Sequence, residues 1–286
     1  MRVLVTGAKG FIGRHLVREL LGRDHEVGLN DKRWGMSTAD PGWLDHEVTR
    51  NAELIVHLGA QCSTAASLRD PAGDFVDNAL GTVNVAEASR RAGGVPIVYV
   101  STVKVDPGPD GLVAPLGRSK LVGEEYLRLY HDLYGVRHVT LRPSTVYGPG
   151  QDGTADSGWV TWFARAALTG QRIELAGDGS QSRDVLYIDD FVALLVDIVE
   201  HFTEYSPPLC SRRYAVGGGV ENEVSLNGLL AELGHKDVIY VPTPPGDLHR
   251  VVTNNARVSA VRGWAPSVGW RDGLARTMEW LKGEMA

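Results

Sequence analysis

The chain has 286 residues, of which 43% are hydrophobic, and a formal net charge of -6. That length and apolar content support a sizeable core and exclude a disordered chain. No Lys/Arg block offers the basic face that a nucleic acid would favour, and no apolar run reaches the roughly 18 residues of a spanning helix, so neither a nucleic-acid partner nor a membrane is expected.

The opening MRVLVTGAKG goes straight into a strand pattern. It lacks the apolar stretch and cleavage site of a signal peptide, so a cytoplasmic location is expected. Arg2 to Thr6 reads as a strand, and Ile12, Leu16, Val17, Leu20 and Leu21 then recur at helical spacing. Between them Gly7, Gly10 and Gly13 form G-x-x-G-x-x-G. Such a loop turns tightly, lets the backbone approach a pyrophosphate, and brings the anion to a helix N-terminus. A second strand, Glu26 to Asp31, ends on a carboxylate. An acid at that point accepts hydrogen bonds from adenosine ribose hydroxyls and repels a 2′-phosphate, so NAD is expected rather than NADP. Lys32 and Arg33 follow it directly and offer the opposite preference.

Further strands are expected at Glu53 to Leu58, Pro96 to Ser101 and Val136 to Arg142, with helices at Phe75 to Ala92 and Ser119 to Tyr134. This alternation predicts an α/β fold, a Rossmann-type doubly wound parallel sheet with its ligand at the carboxyl ends of the strands. Residues 1–149 are read as the NAD-binding domain. Residues 150–286, richer in glycine turns and proline clusters, are read mainly as a smaller C-terminal α/β substrate-binding lobe. Return elements are expected around 184–200, where Val185-Leu186-Tyr187-Ile188 would rejoin the sheet, and an amphipathic helix closes the chain at Asp272 to Lys282. Cys62 and Cys210 lie far apart without metal-ligand spacing. They are read as free thiols of a reducing compartment, and no metal site is expected.

Longer stretches carry a resemblance. TGAKGFIG, HLGA at 57–60, DNALGTVNVAEASRRAG at 77–93, GRSKLVGEEY, LRPSTVYGPGQ, GDGSQSRDVLYIDD, PPGDLHR and the C-terminal GWAP follow one another in order over nearly the whole chain. Together they resemble the extended short-chain dehydrogenase/reductases, the NAD-dependent sugar-nucleotide epimerases and dehydratases. The resemblance implies that Gly7, Gly10, Phe11, Ile12 and Gly13 contact the pyrophosphate and Asp31, beside Lys32, the ribose. It places Leu58 and Ala60 along the cofactor and Asn78 near it. Thr102 matches the catalytic Ser/Thr, and Lys120 the lysine that holds the nicotinamide ribose. Thr145, Arg183 and Arg250 match the positions that bind the substrate's nucleotide diphosphate. A homodimer through the helices at 75–92 and 119–134 is implied as well.

The chain departs from this pattern at its centre. The family's Y-x-x-x-K would place a tyrosine at position 116, and the residue there is Leu116. A phenol, with a pKa of about 10 that neighbouring cations lower, removes a sugar hydroxyl proton in that family; leucine has no proton to exchange. The segment from Thr102 to Pro115 is short, Val103 and Lys104 fill two acidic places of the dehydratase signature, and Thr145 replaces an asparagine. Lys104 is the first candidate for a displaced acid/base, since continued strand geometry would put it on one face with Thr102. Asp106 and Cys62 are weaker candidates. The expected activity is an NAD-dependent change to a nucleotide-linked sugar. The alternatives are an NAD-binding pseudoenzyme or partner protein, and a related enzyme acting on a small molecule that is not a sugar nucleotide.

Overall fold

In the computed structural model, residues 1–40, 42, 51–108, 110–206 and 212–286 are described. Cys210 lies outside them.

Strands β1 (Arg2–Thr6), β2 (Glu26–Asn30), β3 (Leu54–His57), β4 (Ile97–Val100) and β5 (His138–Pro143) belong to one sheet, each joined to the next by a crossover. Then come β6 (Thr145–Tyr147), β7 (Ile173–Ala176), β8 (Ser182–Tyr187), β9 (Arg212–Val216), β10 (Glu223–Ser225), β11 (Val238–Val241) and β12 (Arg250–Val251). The main sheet has the order β2-β1-β3-β4-β5-β9, and all its pairings are parallel. Strands buried on both faces must be apolar almost throughout, which is why β1 reads RVLVT and β3 LIVH. The order reverses between β1 and β3, so their carboxyl ends diverge into a crevice there.

Helices Gly81–Arg91 and Pro115–Tyr134 cover one face of the sheet over a core that includes Leu4, Ile55, Ile97, Tyr99 and Leu127. Helices Phe11–Leu21 and Ile188–Glu200 pack against each other on the opposite face. Their core runs on into the C-terminal lobe, joining Val5 and Leu141 to Phe163, Phe191 and Trp270 in one apolar cluster. The lobe therefore shares a core with the sheet domain and does not form one of its own.

The expected helix at 75–92 begins earlier. It runs through Pro71–Phe75, a π-helical turn Val76–Leu80 and Gly81–Arg91. The helix expected from Ser119 starts at Pro115, a residue suited to the first turn because it has no N–H to leave unpaired. One expectation fails. Val185-Leu186-Tyr187 does not rejoin the main sheet: β8 pairs with β6, β10 and β12 in a separate sheet of the lobe. The strand that returns is β9, beside β5. Each strand ends on three apolar residues, Val185-Leu186-Tyr187 in β8 and Tyr214-Ala215-Val216 in β9, so local composition does not select the partner. The final helix, Trp270–Met285, packs on the lobe as expected.

No helix among the described residues is long and apolar enough to cross a membrane.

Candidate active site

A cleft of about 830 Å³ opens at the carboxyl ends of the strands, from the glycine loop to the start of helix Pro115–Tyr134. A shallower hollow of about 450 Å³ lies elsewhere, at Gly177–Asp178 and Tyr240–Thr243.

At the cofactor end, Gly7 has φ +69°, and a Cβ there would meet the Gly59 backbone nitrogen at 2.8 Å. A Cβ on Gly13 would run into the Gly7 carbonyl oxygen. Loop and helix thus approach as closely as only glycine permits. Helix Phe11–Leu21 has Gly10 as its N-cap, with no side-chain hydrogen bond closing the end, so its first N–H groups are available to an anion. Asp31 is 5% exposed and lines the cleft. Its two oxygens accept from the Lys9 and Arg33 backbone nitrogens at 2.8 and 2.9 Å, which fixes the carboxylate in place. Lys32 is committed to Asp77 at 2.6 Å, and the Lys9 ammonium lies 4.4 Å over the Trp34 ring. The residues present therefore fit a dinucleotide: an uncapped helix end for the pyrophosphate, an anchored carboxylate for ribose hydroxyls, and a basic neighbour already paired. Leu58 and Ala60 follow β3 along the same wall.

At the other end, β4 stops at Val100. Thr102 caps a 3-10 turn, Val103–Val105, by accepting from the Lys104 backbone nitrogen at 3.2 Å. Lys104 therefore does not share a strand face with Thr102, as expected above; the turn, not strand alternation, brings both onto the cleft wall. The Lys104 ammonium donates to Thr64 Oγ1 at 2.7 Å. Lys104 is exposed on the cleft wall, and desolvation of its ammonium, with the Arg183 guanidinium after it, lowers its pKa from the ordinary lysine value.

Leu116 is 3% exposed and faces the cleft one helical turn before Lys120. Gly117 explains the compact geometry: a Cβ there would collide with the Lys104 carbonyl oxygen, so the helix presses directly on the 3-10 turn. Lys120 is buried, donates to the Val100 carbonyl at 2.9 Å and lies 5.0 Å over the Tyr99 ring. Burial lowers its pKa to about 8. Among the described residues neither Lys104 nor Lys120 has an ion-pair partner within 4.0 Å. Cys62 is a free, exposed thiol on the same wall.

Three expected site residues lie off this wall. Asn78 is buried behind it, bonded to Asp74 and Ser119. Arg183 donates to Asp247 at 3.0 Å, and Arg250 grips Glu223 with two bonds of 2.7 Å. The two arginines stand on adjacent strands, β8 and β12. Thr145 does line the cleft, where its Oγ1 accepts from Trp159 at 3.4 Å.

Sequence reasoning missed the segment Gln151 to Trp159, which forms much of the opposite wall. Asp156 ties it to Arg69 at 2.6 Å. Nothing in its composition marks those residues, since their role comes from a contact 87 positions away. Also missed were Asp74, Ser119 and Gln61 behind the wall. Among the described residues no group of three or more His, Cys, Asp or Glu is arranged to hold a metal ion.

The model of the NAD dependent epimerase/dehydratase family matches residues 3–217. The chain is 34% identical to the UDP-glucose 4-epimerase of Mycolicibacterium smegmatis, over 99% of both chains. A solved UDP-glucose 4-epimerase of Thermotoga maritima, with UDP-glucose, superposes with a TM-score of 0.85 at 27% identity, covering 100% of both chains. That of Thermus thermophilus, in complex with NAD, gives a TM-score of 0.85 at 30% identity, covering 99% of both.

Proposed function

The chain belongs to the NAD dependent epimerase/dehydratase family, and from that premise we propose that it is an NAD-dependent enzyme modifying a nucleotide-linked sugar, with Lys104 in the acid/base role that Leu116 leaves empty. The observation that carries this reading is the single cleft joining the glycine cradle and Asp31 to Thr102, Lys104 and Lys120.

Bound NAD supplies an acceptor for hydride from a sugar carbon and can return it. The protein's own groups do the rest. The N–H groups of Phe11 and Ile12 would hold the pyrophosphate, and Asp31 the adenosine ribose. Lys120 directs one donor to Val100, which leaves its remaining protons for the nicotinamide ribose. Thr102 would hydrogen-bond the reacting sugar hydroxyl. Lys104 would take the hydroxyl proton as a neutral amine and give it back as an ammonium. Desolvation lowers its pKa from the ordinary lysine value, the direction that favours the neutral amine. Leu116 contributes only a dry surface. Thr145 would border the substrate. Arg183 and Arg250 would hold the diphosphate by exchanging Asp247 and Glu223 for it, a use suited to planar, permanently charged forks.

Those same pairings favour a second reading. Both arginines are already satisfied, as they would be in an NAD-binding partner protein without turnover. Thr145, in the place of an asparagine, supports a third, an enzyme whose substrate is not a sugar nucleotide.

A homodimer fits the exposed apolar residues Phe75, Leu80, Tyr126, Leu129 and Leu133 on the neighbouring helices of one sheet face. The free thiol of Cys62 supports a reducing, cytoplasmic setting.

The test is to denature the purified protein and identify released nucleotides by mass spectrometry. NAD or NADH is expected in roughly stoichiometric amount. A co-released sugar nucleotide would name the substrate. Release of NADP in its place, or of a nucleotide unrelated to either, would overturn the cofactor assignment.

A further inference from the structure

Asp74 is 2% exposed, lies behind the cleft wall and takes no part in the chemistry described above. Its carboxylate collects donors from three segments. Oδ1 accepts from Gln61 Nε2 at 2.7 Å and from Asn78 Nδ2 at 3.0 Å, and Oδ2 accepts from Ser119 Oγ at 2.5 Å. All three donors are neutral. They compensate the loss of water without cancelling the charge.

Two arms leave this carboxylate. The first passes through Gln61, whose backbone N–H donates to Asn78 Oδ1 at 2.9 Å and whose amide brackets Ser63 from both sides. That clamp sets the course of the chain into Thr64, the residue that holds the Lys104 ammonium. The second arm is Ser119, the immediate neighbour of Lys120 on the helical turn that begins at Leu116.

We propose that Asp74 is a positioning residue for both candidate catalytic lysines: through Gln61 and Thr64 it orients Lys104, and through Ser119 and its own negative charge it orients and keeps protonated Lys120. The part that concerns the cofactor rests on the reading of the cleft as an NAD site.

The electrostatics agree with the geometry. Lys120 is faced by Cys62 from the wall, Asp74 from helix Pro71–Phe75, Glu124 from its own helix, and His57 and Tyr99 from β3 and β4. Glu124 is already neutralised by Arg142, which bonds both its oxygens at 2.9 and 2.6 Å. His57 is held neutral by burial. Asp74 is thus the carboxylate near Lys120 whose charge no cation pairs directly. Burial, and to a smaller extent Asp77, raises the Asp74 carboxyl above the usual carboxylate range, and Ser119, Gln61 and Lys120 limit that rise without cancelling it.

The experiment follows the Cε resonances of Lys120 and Lys104 in ¹³C-lysine-labelled protein through a pH titration, assigned with Lys120→Arg and Lys104→Arg. Wild type is compared with Asp74→Asn, and NAD affinity is measured by calorimetry on the same samples. In wild type the Lys120 midpoint is expected near 8. Asp74→Asn is expected to lower it by roughly one pH unit and to weaken NAD binding at least ~3-fold at neutral pH. Loosened packing alone would weaken NAD at every pH and, by admitting water to Lys120, raise that midpoint, so an unmoved or raised midpoint overturns the proposal. A wild type that binds no NAD would remove the cofactor reading, while the titration still judges Asp74. Should Asp74→Asn not fold, Ser119→Ala cuts the helix arm and keeps the charge. It is expected to weaken NAD several-fold, and unchanged affinity would count against the proposal.

Discussion

Lys120 and Leu116 lie one helical turn apart on one cleft wall, and only the lysine can donate to a ligand. Burial leaves Lys120 with the Val100 carbonyl as its hydrogen-bond acceptor, so its remaining donors gain most from a bound ribose. Lys120→Ala is therefore expected to weaken NAD about tenfold or more, the worth of a charge-assisted bond in a dry site. Calorimetric titration checks it, and affinity equal to wild type would remove Lys120 from the cofactor site. Most of the cofactor end was legible in the sequence: Gly7, Gly10, Gly13 and Asp31 each stand where backbone geometry or a carboxylate demands that residue type. The commitments of Lys32 to Asp77 and of Lys104 to Thr64 were not, because each joins residues at least 40 positions apart.

Among the elements, helix Pro115–Tyr134 has two roles. Its first turn carries Leu116 and Lys120 into the cleft, and its later turns expose Tyr126, Leu129, Leu133 and Tyr134. The adjacent helical stretch exposes Phe75, Val76 and Leu80, so two neighbouring helices leave apolar side chains in water. A second copy packed there would bury both faces. Leu133→Glu places a charge in that patch, and sedimentation is expected to show a monomer in place of a dimer. If wild type itself sediments as a monomer, the dimer proposal fails. The periodicity of these helices was legible, but the π-helical turn Val76–Leu80 was not. One extra residue in a turn leaves no mark in a pattern of apolar spacing, yet it is this turn that carries Asn78 inward to Asp74 and Ser119. Strand β8 was misplaced for a related reason: apolar alternation identifies a strand and says nothing of its partner.

For the whole molecule, two buried histidines set a limit on the acid side. His57, bonded to Thr6 and Thr82, has its pKa lowered to about 3 by burial and, secondarily, by Lys120. Burial lowers His138 to about 4. In the unfolded chain both would titrate near 6.5. Folded pKa values below the unfolded ones mean that the unfolded state binds more protons as pH falls under 6.5. Stability is thus full above that pH and is lost on the way down, by about 2 kcal/mol per histidine at pH 5. The melting temperature is expected to fall between about pH 7 and pH 5, and His138→Phe should fall less steeply; a curve parallel to wild type would exclude His138 from the effect. By itself the sequence determined the alternating α/β plan, the glycine cradle, the carboxylate at 31 and the leucine at 116, since each is written in local spacing and residue type. The tertiary structure alone decided which strand returns to the sheet, that Lys104 and Lys120 line one cleft, and that a buried carboxylate at 74 gathers Gln61, Asn78 and Ser119. Those are contacts between distant segments, formed by the close approach of Gly117 to the Lys104 backbone and by the need of a buried charge for donors, and no local pattern encodes them.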